Sequence, residues 1–578
     1  MASHPAWVHA LAALNSGTLE APAALEQASR ELDAASPDPS WALVAALALW
    51  QLKRYGDAYG LCRAYPATFG QSVEALVLKG MVARRLPEAA ADAEAAFREA
   101  IAREPQRVDA LYNLGNLLND AQRYEQAIPL YERCLSLHPD NANHWHNYGI
   151  TLRELNRVAE AERALQLALQ LDPRNPDIWC NIGLVAHNQE RFEQAKACYR
   201  QSIDLDSHHS SSWHNLGQSL LDQARPEEAL PLLRRGCELD PVSSDALFNV
   251  ALTELLLGNY RDGWRLYEGR FATKQFNNTL VPSTGPWLNS LQECQQVAAA
   301  GQQILIWSEQ GIGDMIQFVR FIGVLQALGL PVAFATRKPL IPLFKQWLIE
   351  AVPVLDQDDL PAEWHQAPHI PLMSLPALLG TELATIPAHT PYLQAPGPPP
   401  TELYVEPPPG GLAIGLVWAS NPENQGLFRK KSLPLAPLMQ RLMPAVRHQL
   451  IELHSLQVGN DLDQLLPWQQ EEGIHGWHER LPHFAATAHV VRQLDLIISV
   501  DTAVAHLAGA LHQPTWLLLP ASADFRWLHQ QIDCPWYSSL RLFRQASPGD
   551  WPSVIDAVVD TLGEVLGLDL DQLADLPA

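Results

Sequence analysis

The pattern of apolar and polar positions changes near the middle of this chain. Up to about residue 277, apolar and small residues recur at helical spacing and at fixed intervals. Beyond about residue 300, short apolar runs such as residues 303–308 alternate with helical stretches. The first pattern predicts paired helices, and the second predicts a parallel sheet whose strands are joined by helices. We therefore expect a helical half followed by an α/β half.

The helical half repeats itself every 34 residues from Val108 onward. Each copy has an apolar residue or tryptophan at position 4, glycine at position 8, alanine at position 20 and often proline at position 32. The marking residues are Trp145, Trp179, Trp213, Gly115, Gly149, Gly183, Gly217, Ala127, Ala161, Ala195, Ala229, Pro139, Pro173 and Pro241. Small residues let two helices approach closely, and proline ends a helix. The repeating element is therefore a pair of helices.

This length and this pattern resemble the tetratricopeptide repeat. Weaker copies extend the array on both sides, so we predict about seven repeats over residues 39–277, after a helical cap at residues 1–38. Such repeats stack into a solenoid, and the first helix of each repeat lines a long concave surface.

Position 6 is asparagine in five successive repeats, although asparagine is a mediocre helix former. These residues are Asn113, Asn147, Asn181, Asn215 and Asn249. Each carboxamide can donate to and accept from a peptide backbone, so a ladder of them is suited to hold an extended chain. An ordinary preference of the repeat explains the same residues without a ligand. The array resembles that of protein O-GlcNAc transferase, and this resemblance implies that the five asparagines bind an acceptor protein.

The α/β half contains two groups of apolar runs separated by a Pro-rich stretch. We predict a junction, a first Rossmann-like half, a Pro-rich linker, a second Rossmann-like half and a C-terminal helix. These five segments are residues 278–300, 301–390, 391–411, 412–550 and 551–578. Two such sheets form a cleft between the carboxyl ends of their strands, which suits a nucleotide-sugar transferase of the GT-B type.

A glycine-containing turn follows the first predicted strand of the α/β half. Gly311 and Gly313 supply the first two glycines of a dinucleotide fingerprint, but Ile316 occupies the third position. A Rossmann dehydrogenase is therefore disfavoured. Asp314 opens the helix after this turn, where a carboxylate either takes a proton from a substrate hydroxyl or simply accepts backbone N–H groups.

A second turn joins a buried strand to a helix in the second half. Asp501 and Thr502 stand after the apolar residues 494–498, at the end of a strand where open α/β sheets bind ligands. Thr502 is placed to cap the next helix, whose free N–H groups favour an anion, and His506 lies one turn further on. An ordinary capped strand–helix element also explains these residues.

Together the two motifs resemble the heptosyltransferase-like glycosyltransferases (family 9), which bacteria also fuse to tetratricopeptide repeats. This resemblance implies that Asp314 is the general base and that Asp501, Thr502 and His506 bind the donor. Gly311 and Gly313 belong to the same predicted donor site. Where those enzymes usually have glycine, this chain has Ala503, whose methyl group narrows the approach of a phosphate. The resemblance also implies inversion at the sugar.

Three cations stand together after the first strand of the second half, in Arg429, Lys430 and Lys431. Fixed cations stabilise the diphosphate that leaves during glycosyl transfer. We therefore take Arg429, Lys430 and Lys431 as phosphate-binding candidates, and we assign Arg429 and Lys430 to the donor site. A solvated basic loop is the other interpretation.

Composition excludes several classes of function. The net charge of -24 and the pI near 5.3 disfavour nucleic acid as a partner. The chain has no apolar run long enough for a membrane span and no secretory signal, and its seven cysteines are scattered without a CxxC pair. We therefore expect a cytoplasmic protein with reduced thiols. His475, His478 and His483 lie close together, but Gly476 and Pro482 interrupt a helical metal face, so no metal or other cofactor is expected.

The sequence as a whole predicts a tetratricopeptide solenoid followed by a GT-B pair of Rossmann-like domains. We expect a glycosyltransferase that moves a sugar from a nucleotide-sugar donor to a side chain of a protein held by the repeats. Two alternatives stay open, a non-catalytic scaffold with a degenerate transferase half and a transferase that acts on a glycan. A homo-oligomer is also compatible with the sequence.

Overall fold

The structure, a computed structural model, describes residues 5–34, 36–273, 276, 279–347, 352–406, 410–420 and 430–573. It divides into two compact units, residues 1–212 and residues 213–578. Each unit contains its own clusters of buried apolar side chains. Among the helices in these described ranges, none is long and apolar enough to cross a membrane.

The first unit consists of helices, as its 3.6-residue apolar spacing predicts. From Val108 onward each 34-residue repeat gives one helix of 13 residues and one of 14. The helices are Ala6–Asn15, Ala21–Leu32, Trp41–Gln51, Tyr55–Ala64, Pro66–Phe69, Val73–Ala83, Ala90–Arg103, Val108–Asp120, Tyr124–Leu137, Ala142–Glu154, Val158–Leu171, Pro176–Asn188 and Phe192–Leu205.

Glycine at position 8 of each repeat lets the two helices of a pair touch. A Cβ added at Gly115 would lie 2.9 Å from the Tyr131 ring, and one at Gly183 would lie 2.5 Å from the Tyr199 ring. Both tyrosine side chains are fully buried. Packing of the two helices therefore requires glycine at this position, and this requirement explains why glycine recurs every 34 residues.

From Val108 onward, the turn inside each repeat contains one residue in the left-handed region of backbone space. In the first unit these are Gln122, Asn156 and Glu190, with φ between 58° and 59°. The second unit continues the series with Ala224 (φ 56°) and Gly258 (φ 82°). A side chain disfavours this conformation, so four of the five turns are strained.

The second unit continues the repeats and then forms the α/β part. Its helices are Ser210–Asp222 (from Trp213 onward in this unit), Pro226–Leu239, Ser244–Leu256, Tyr260–Tyr267, Leu291–Ala299, Ile312–Phe318, Arg320–Ala327, Ile341–Trp347, Leu375–Leu378, Leu435–Arg447, Phe484–Val491, Ala503–Ala510, Trp551–Leu566 and Leu570–Leu573. Its strands are β1 Ile304–Trp307, β2 Val332–Thr336, β3 Val354–Asp356, β4 His369–Pro371, β5 Leu412–Val417, β6 Ile451–Ser455, β7 Ile474–Gly476, β8 Leu496–Val500, β9 Thr515–Leu519 and β10 Leu540–Arg544.

The strands form two parallel sheets. The first sheet has the order β3-β2-β1-β4, and the second has the order β10-β9-β8-β5-β6-β7. The β5–β6 pair is in register at Leu412↔Ile451, and the β5–β8 pair at Ile414↔Leu496. The strand order of the second sheet is that of dinucleotide-binding folds. Such sheets bind ligands where the strand order reverses, which here is beside β5 and β8.

The last repeat is built into the core of the α/β part. Arg270, just after the helix Tyr260–Tyr267, is fully buried and donates to Glu309 Oε1 and to Ser374 Oγ, each at 2.8 Å. Glu309 follows β1, and Ser374 follows β4. An arginine retains its charge when buried, so the paired carboxylate fixes the last repeat against the reversal point of the first sheet.

Replacing Gly183 by alanine should destabilise the repeat array by about 1–3 kcal/mol, because the new methyl group overlaps a ring that has no space to move. Urea unfolding of the full chain, followed by circular dichroism at 222 nm, measures this loss. Gly60→Ala is the matched control, since a Cβ at Gly60 meets no atom within 4 Å. It should be neutral or stabilise by up to about 1 kcal/mol. Equal midpoints for Gly183→Ala and wild type would refute the packing role.

Candidate functional site

The site forms where the two sheets present the carboxyl ends of their strands to each other. The helix Ile312–Phe318 follows β1, and the helix Ala503–Ala510 follows β8. These two helices contact each other directly. A Cβ added at Gly313 would lie 2.8 Å from His506 Cδ2 and 3.7 Å from Ala503 Cα. The two motifs that the sequence singled out are therefore neighbours, and glycine at 313 permits their contact.

A buried ion pair lies at the end of β8. Lys431 Nζ donates to Asp501 Oδ2 at 2.5 Å, and His506 Nε2 lies 3.8 Å from Asp501 Oδ1. Burial is the largest single influence on Asp501 and would raise its pKa, but the charge and hydrogen bond of Lys431, together with His506 and Arg526, lower that pKa to about 2. Burial also lowers the pKa of His506 to about 3, so the imidazole is neutral at pH 7. The end of β8 therefore carries one compensated charge pair beside a neutral histidine.

Thr502 stands at the start of the helix Ala503–Ala510, but its hydroxyl does not cap it. The residue occupies the N-cap position with extended backbone, and its Oγ1 lies 3.1 Å from Ser499 Oγ. The Thr502 carbonyl accepts the N–H groups of Ala505 and His506. The expected side-chain cap is therefore wrong, and the Thr502 hydroxyl instead lies beside the buried Ser499 hydroxyl.

Asp314 lies opposite, in the first turn of its helix. Its Oδ2 accepts the N–H of Gly311 at 3.0 Å, and its Oδ1 accepts from the guanidinium of Arg526. Arg526 also donates to Asp524 Oδ1 at 2.6 Å. Burial raises the pKa of Asp314, while the Arg526 charge opposes this rise. The carboxylate thus serves as a helix-start acceptor and, in this state, as one end of an ion pair.

Aromatic side chains enclose the histidine of the site. The Trp527 ring stacks on His506 with centroids 5.0 Å apart, and Tyr537 Oη lies 3.1 Å from His506 Nδ1. Trp527 and Tyr537 are fully buried. These two rings therefore pack against His506, and their burial fixes its orientation.

Of the candidate cations after β5 that the structure describes, Lys431 is the one that contacts Asp501. Lys430 Nζ donates to Asp222 of the helix Ser210–Asp222 at 2.9 Å, so it faces the repeats instead of Asp501. Lys431 is the residue that reaches the site. Lys430 and Lys431 are both helical, and successive side chains of a helix point about 100° apart, which separates their directions. Arg429 lies outside the described residues.

The asparagine ladder in the first unit is largely bonded to its own array. Asn147 Nδ2 donates to Tyr112 Oη at 2.8 Å and to Asn116 Oδ1 at 2.7 Å. Asn181 Nδ2 donates to the Asp177 carbonyl and lies 3.0 Å from His146 Nε2. These carboxamides join the first helices of neighbouring repeats, which accounts for part of their periodicity.

Asn113 differs from these two, because it lines a cavity. Its Nδ2 donates to the Asp109 carbonyl of its own helix at 2.8 Å. The cavity has a volume of about 1020 Å³, and Tyr112, Asn143 and His144 also line it. In the second unit, Asn215 and Asn249 are half-buried, and Asn249 Nδ2 lies 3.1 Å from His214 Nε2.

One set of potential metal ligands occurs among the residues that the structure describes, namely Glu452, His454 and His475. Glu452 Oε2 lies 3.8 Å from His454 Nε2 and 3.0 Å from His475 Nε2. Trp477 Nε1 donates to His454 Nδ1 at 3.1 Å, so the neutral imidazole carries its proton on Nε2. A metal ligand needs the reverse, with a lone pair towards the metal and the N–H outward. The set does not fit a metal ion.

Sequence reasoning missed the ionic partners of the predicted motifs. Lys431 was recognisable only as one of three adjacent cations. Arg526 and Asp524 follow β9 without a motif, although their order on the chain, after the strand next to β8, was a usable signal. A side chain that follows β9 reaches the same edge of the sheet as one that follows β8.

Comparisons with known proteins concern the repeats most clearly. A family model described as the Cilia and flagella-associated protein 70 C-terminal domain matches residues 57–261. Protein FlbA of Caulobacter vibrioides is 26% identical over 339 residues, which are 53% of this chain and 53% of FlbA. The chain therefore spans about half the length of that relative. The match and the helix pairs show that this is a tetratricopeptide repeat protein.

Solved structures of repeat proteins are also similar to part of the chain. A thermophilic TPR protein from Thermus thermophilus is 19% identical, with a TM-score of 0.30, over 32% of this chain and 100% of that one. PilW, a type IV pilus biogenesis factor, is 20% identical, with a TM-score of 0.32, over 36% of this chain and 97% of that one.

Replacing Lys431 by methionine should destabilise the protein by about 3–5 kcal/mol at pH 7, because it leaves Asp501 charged, buried and without its cation. Wild type loses the contribution of Asp501 only as the pH falls from about 4 towards 2, since the folded pKa lies below the unfolded one. In the variant, burial raises the pKa of Asp501. The carboxylate is therefore protonated at mildly acidic pH, and the cost of its buried, unpaired charge is removed. The difference between the two proteins should therefore shrink on acidification.

Denaturant titrations at pH 7 and pH 4 measure this difference. Lys338→Met is the matched control, because Lys338 is 74% exposed and lies 3.6 Å from Asp356. It should cost less than about 1 kcal/mol at either pH. A Lys431→Met deficit that stays constant between the two pH values would show that Asp501 is not the group it leaves unpaired.

Proposed function

We propose that this protein is a glycosyltransferase that uses a nucleotide-activated sugar and acts on a protein acceptor. One observation carries the proposal. The turns that follow β1 and β8 of two parallel sheets meet at Gly313 and His506, and bring Asp314 to the same place as Asp501 and Lys431. A carboxylate that follows a strand of one sheet thereby lies near a strand end of the other that can accept an anion, and a GT-B transferase would need such a pair, which supports the proposal.

The donor is assigned to the second sheet. Its strand order reverses between β5 and β8, and both the Lys431 loop and Asp501 follow these two strands. The helix Ala503–Ala510 starts there and directs its first N–H groups and its positive dipole end outward. A diphosphate at this point would meet the helix start, Lys431 and Arg526, the cations of a leaving-group site.

The reaction follows from these positions. The acceptor oxygen attacks the anomeric carbon of the sugar, and the bond from that carbon to the diphosphate oxygen breaks. The bonding electrons leave with the nucleoside diphosphate, and the hydroxyl proton passes to Asp314. Because one base acts on one face of the sugar, the configuration at the anomeric carbon inverts.

The acceptor is assigned to the repeats. The cavity at Asn113 in the first unit is large enough for several residues of an extended chain, and amide, phenol and imidazole groups line it. Such groups hydrogen-bond a peptide backbone with little regard to its sequence. A protein that carries the acceptor side chain therefore fits this surface.

A second candidate is a repeat scaffold without catalysis. It is favoured by the ion pair between Asp314 and Arg526, which engages the proposed base in the structure. In this case the α/β part would serve only as the folded end of the repeats.

The decisive experiment incubates the full chain with a panel of nucleotide sugars and a cell extract, and measures release of nucleoside diphosphate. At least one donor should be consumed. Asp314→Asn should lower the rate about a hundredfold or more, since general base catalysis of this kind contributes that much. Asp359→Asn is the matched control, because Asp359 is exposed and distant in sequence from both motifs.

No release with any donor would support the scaffold. Release that Asp314→Asn leaves unchanged would keep the transferase and remove Asp314 as its base.

Asn113→Ala should weaken recognition of the acceptor once that protein is known from transfer of a labelled sugar. The loss of one hydrogen bond to the peptide should raise the acceptor KM roughly fivefold at unchanged kcat. Asn188→Ala, at an exposed helix end in the same unit, is the control. An unchanged KM for Asn113→Ala would exclude this part of the ladder from acceptor binding.

A further inference from the structure

Arg526 connects the two sheets at the proposed site. It belongs to the short helical turn Phe525–Trp527 that follows β9, and its two terminal nitrogens donate to Asp314 and Asp524. The side chain is 8% exposed, and its Nε is buried without a partner among the described residues. The guanidinium therefore lies between a carboxylate of the first sheet and one of the second.

The groups around Asp314 determine how the contact with Arg526 affects the basicity of its carboxylate. Arg526 pairs with the carboxylate, Asp524 and Lys431 act on it from further away, and the buried Tyr267 of the last repeat lies on the same side. The Gly311 N–H donates to it from its own turn. A carboxylate that is held by an arginine is a poor proton acceptor, because the cation stabilises its charged form.

We propose that Arg526 takes the diphosphate of the donor and, by turning away from Asp314, leaves that carboxylate free to act as the base. Donor binding would thus activate the base. Three features support this exchange. The fork of an arginine fits a phosphate at least as well as a carboxylate, Asp524 retains the residue at the site, and Asp314 is 19% exposed, so an acceptor can reach it.

The proton balance of the exchange is simple. Without the guanidinium, burial, the charge of Asp524 and the incoming phosphate all raise the pKa of Asp314. At a pH between its values in the free and bound states, binding of a diphosphate therefore brings a proton onto Asp314. At higher pH the carboxylate stays charged, and its higher pKa makes it the stronger base.

This inference rests on the proposed donor site, and one experiment separates the two. Calorimetric titration of the full chain with ADP, GDP, CDP and UDP, each up to about 1 mM, gives affinity. Repeating it in buffers of different ionisation enthalpy, from about pH 5 to pH 8, gives the protons taken up. Asp314→Asn is the reference, because the protons that this variant takes up come from the phosphates. The difference between wild type and this variant gives the protons taken up by Asp314.

Wild type should take up more protons than Asp314→Asn on binding a nucleoside diphosphate. Arg526→Gln should bind the nucleoside diphosphate at least about tenfold more weakly. Its proton uptake should be the same whether residue 314 is Asp or Asn, since this variant has no guanidinium to withdraw from Asp314. Arg526→Lys retains a charge and should restore part of both effects. Arg447→Gln, which removes an exposed arginine paired with Glu471, should behave as wild type.

Each other result has a distinct meaning. If no diphosphate binds wild type, the donor site and this exchange both fail. If a diphosphate binds and wild type takes up the same number of protons as Asp314→Asn, the donor site stands and the exchange is refuted. If Arg526→Gln binds as tightly as wild type, Arg526 does not hold the phosphate and is only a structural link between the sheets.

Discussion

Backbone contact at glycine is the constraint on which both parts of this molecule depend. In the repeats, glycine at position 8 sets the distance between paired helices, and a buried Tyr131 or Tyr199 ring occupies the space that a Cβ would need. In the α/β part, Gly313 does the same against His506. The first contact forms the scaffold, and the second brings two strand ends together.

Charge pairing is the second organising feature, and it joins the last repeats to the sheets through the buried Arg270 and the half-exposed Lys430. Arg270 connects the end of the array to Glu309 and Ser374, while Lys430 connects Asp222 to the loop whose next residue reaches Asp501. Each of these cations is held by carboxylates, which offset part of its cost of desolvation. The repeats of the second unit are consequently part of the same cooperative structure as the sheets.

The sequence predicted the periodic features well and the isolated ones poorly. Local spacing of residues is visible in a single sequence. It predicts the 34-residue repeat, the strand–turn–helix motifs at Asp314 and Asp501, and the order of helices and strands. Spacing does not tell which of two adjacent lysines faces Asp501, and in the structure Lys430 donates to Asp222 while Lys431 donates to Asp501. Arg526 was not assigned because its contact with Asp314 joins residues 212 positions apart, and no local pattern encodes such a contact.

The left-handed residue in each repeat turn has a consequence for how the array unfolds. A side chain at such a φ costs about 1–2 kcal/mol, and Gln122, Asn156 and Glu190 each carry this cost inside one repeat. The interfaces between repeats do not share it. In a linear array, weak repeats joined by favourable interfaces fold together, whereas strong repeats fold separately. The strained turns therefore lower the stability of the single repeats relative to that of their interfaces, which sharpens the cooperativity of unfolding along the array.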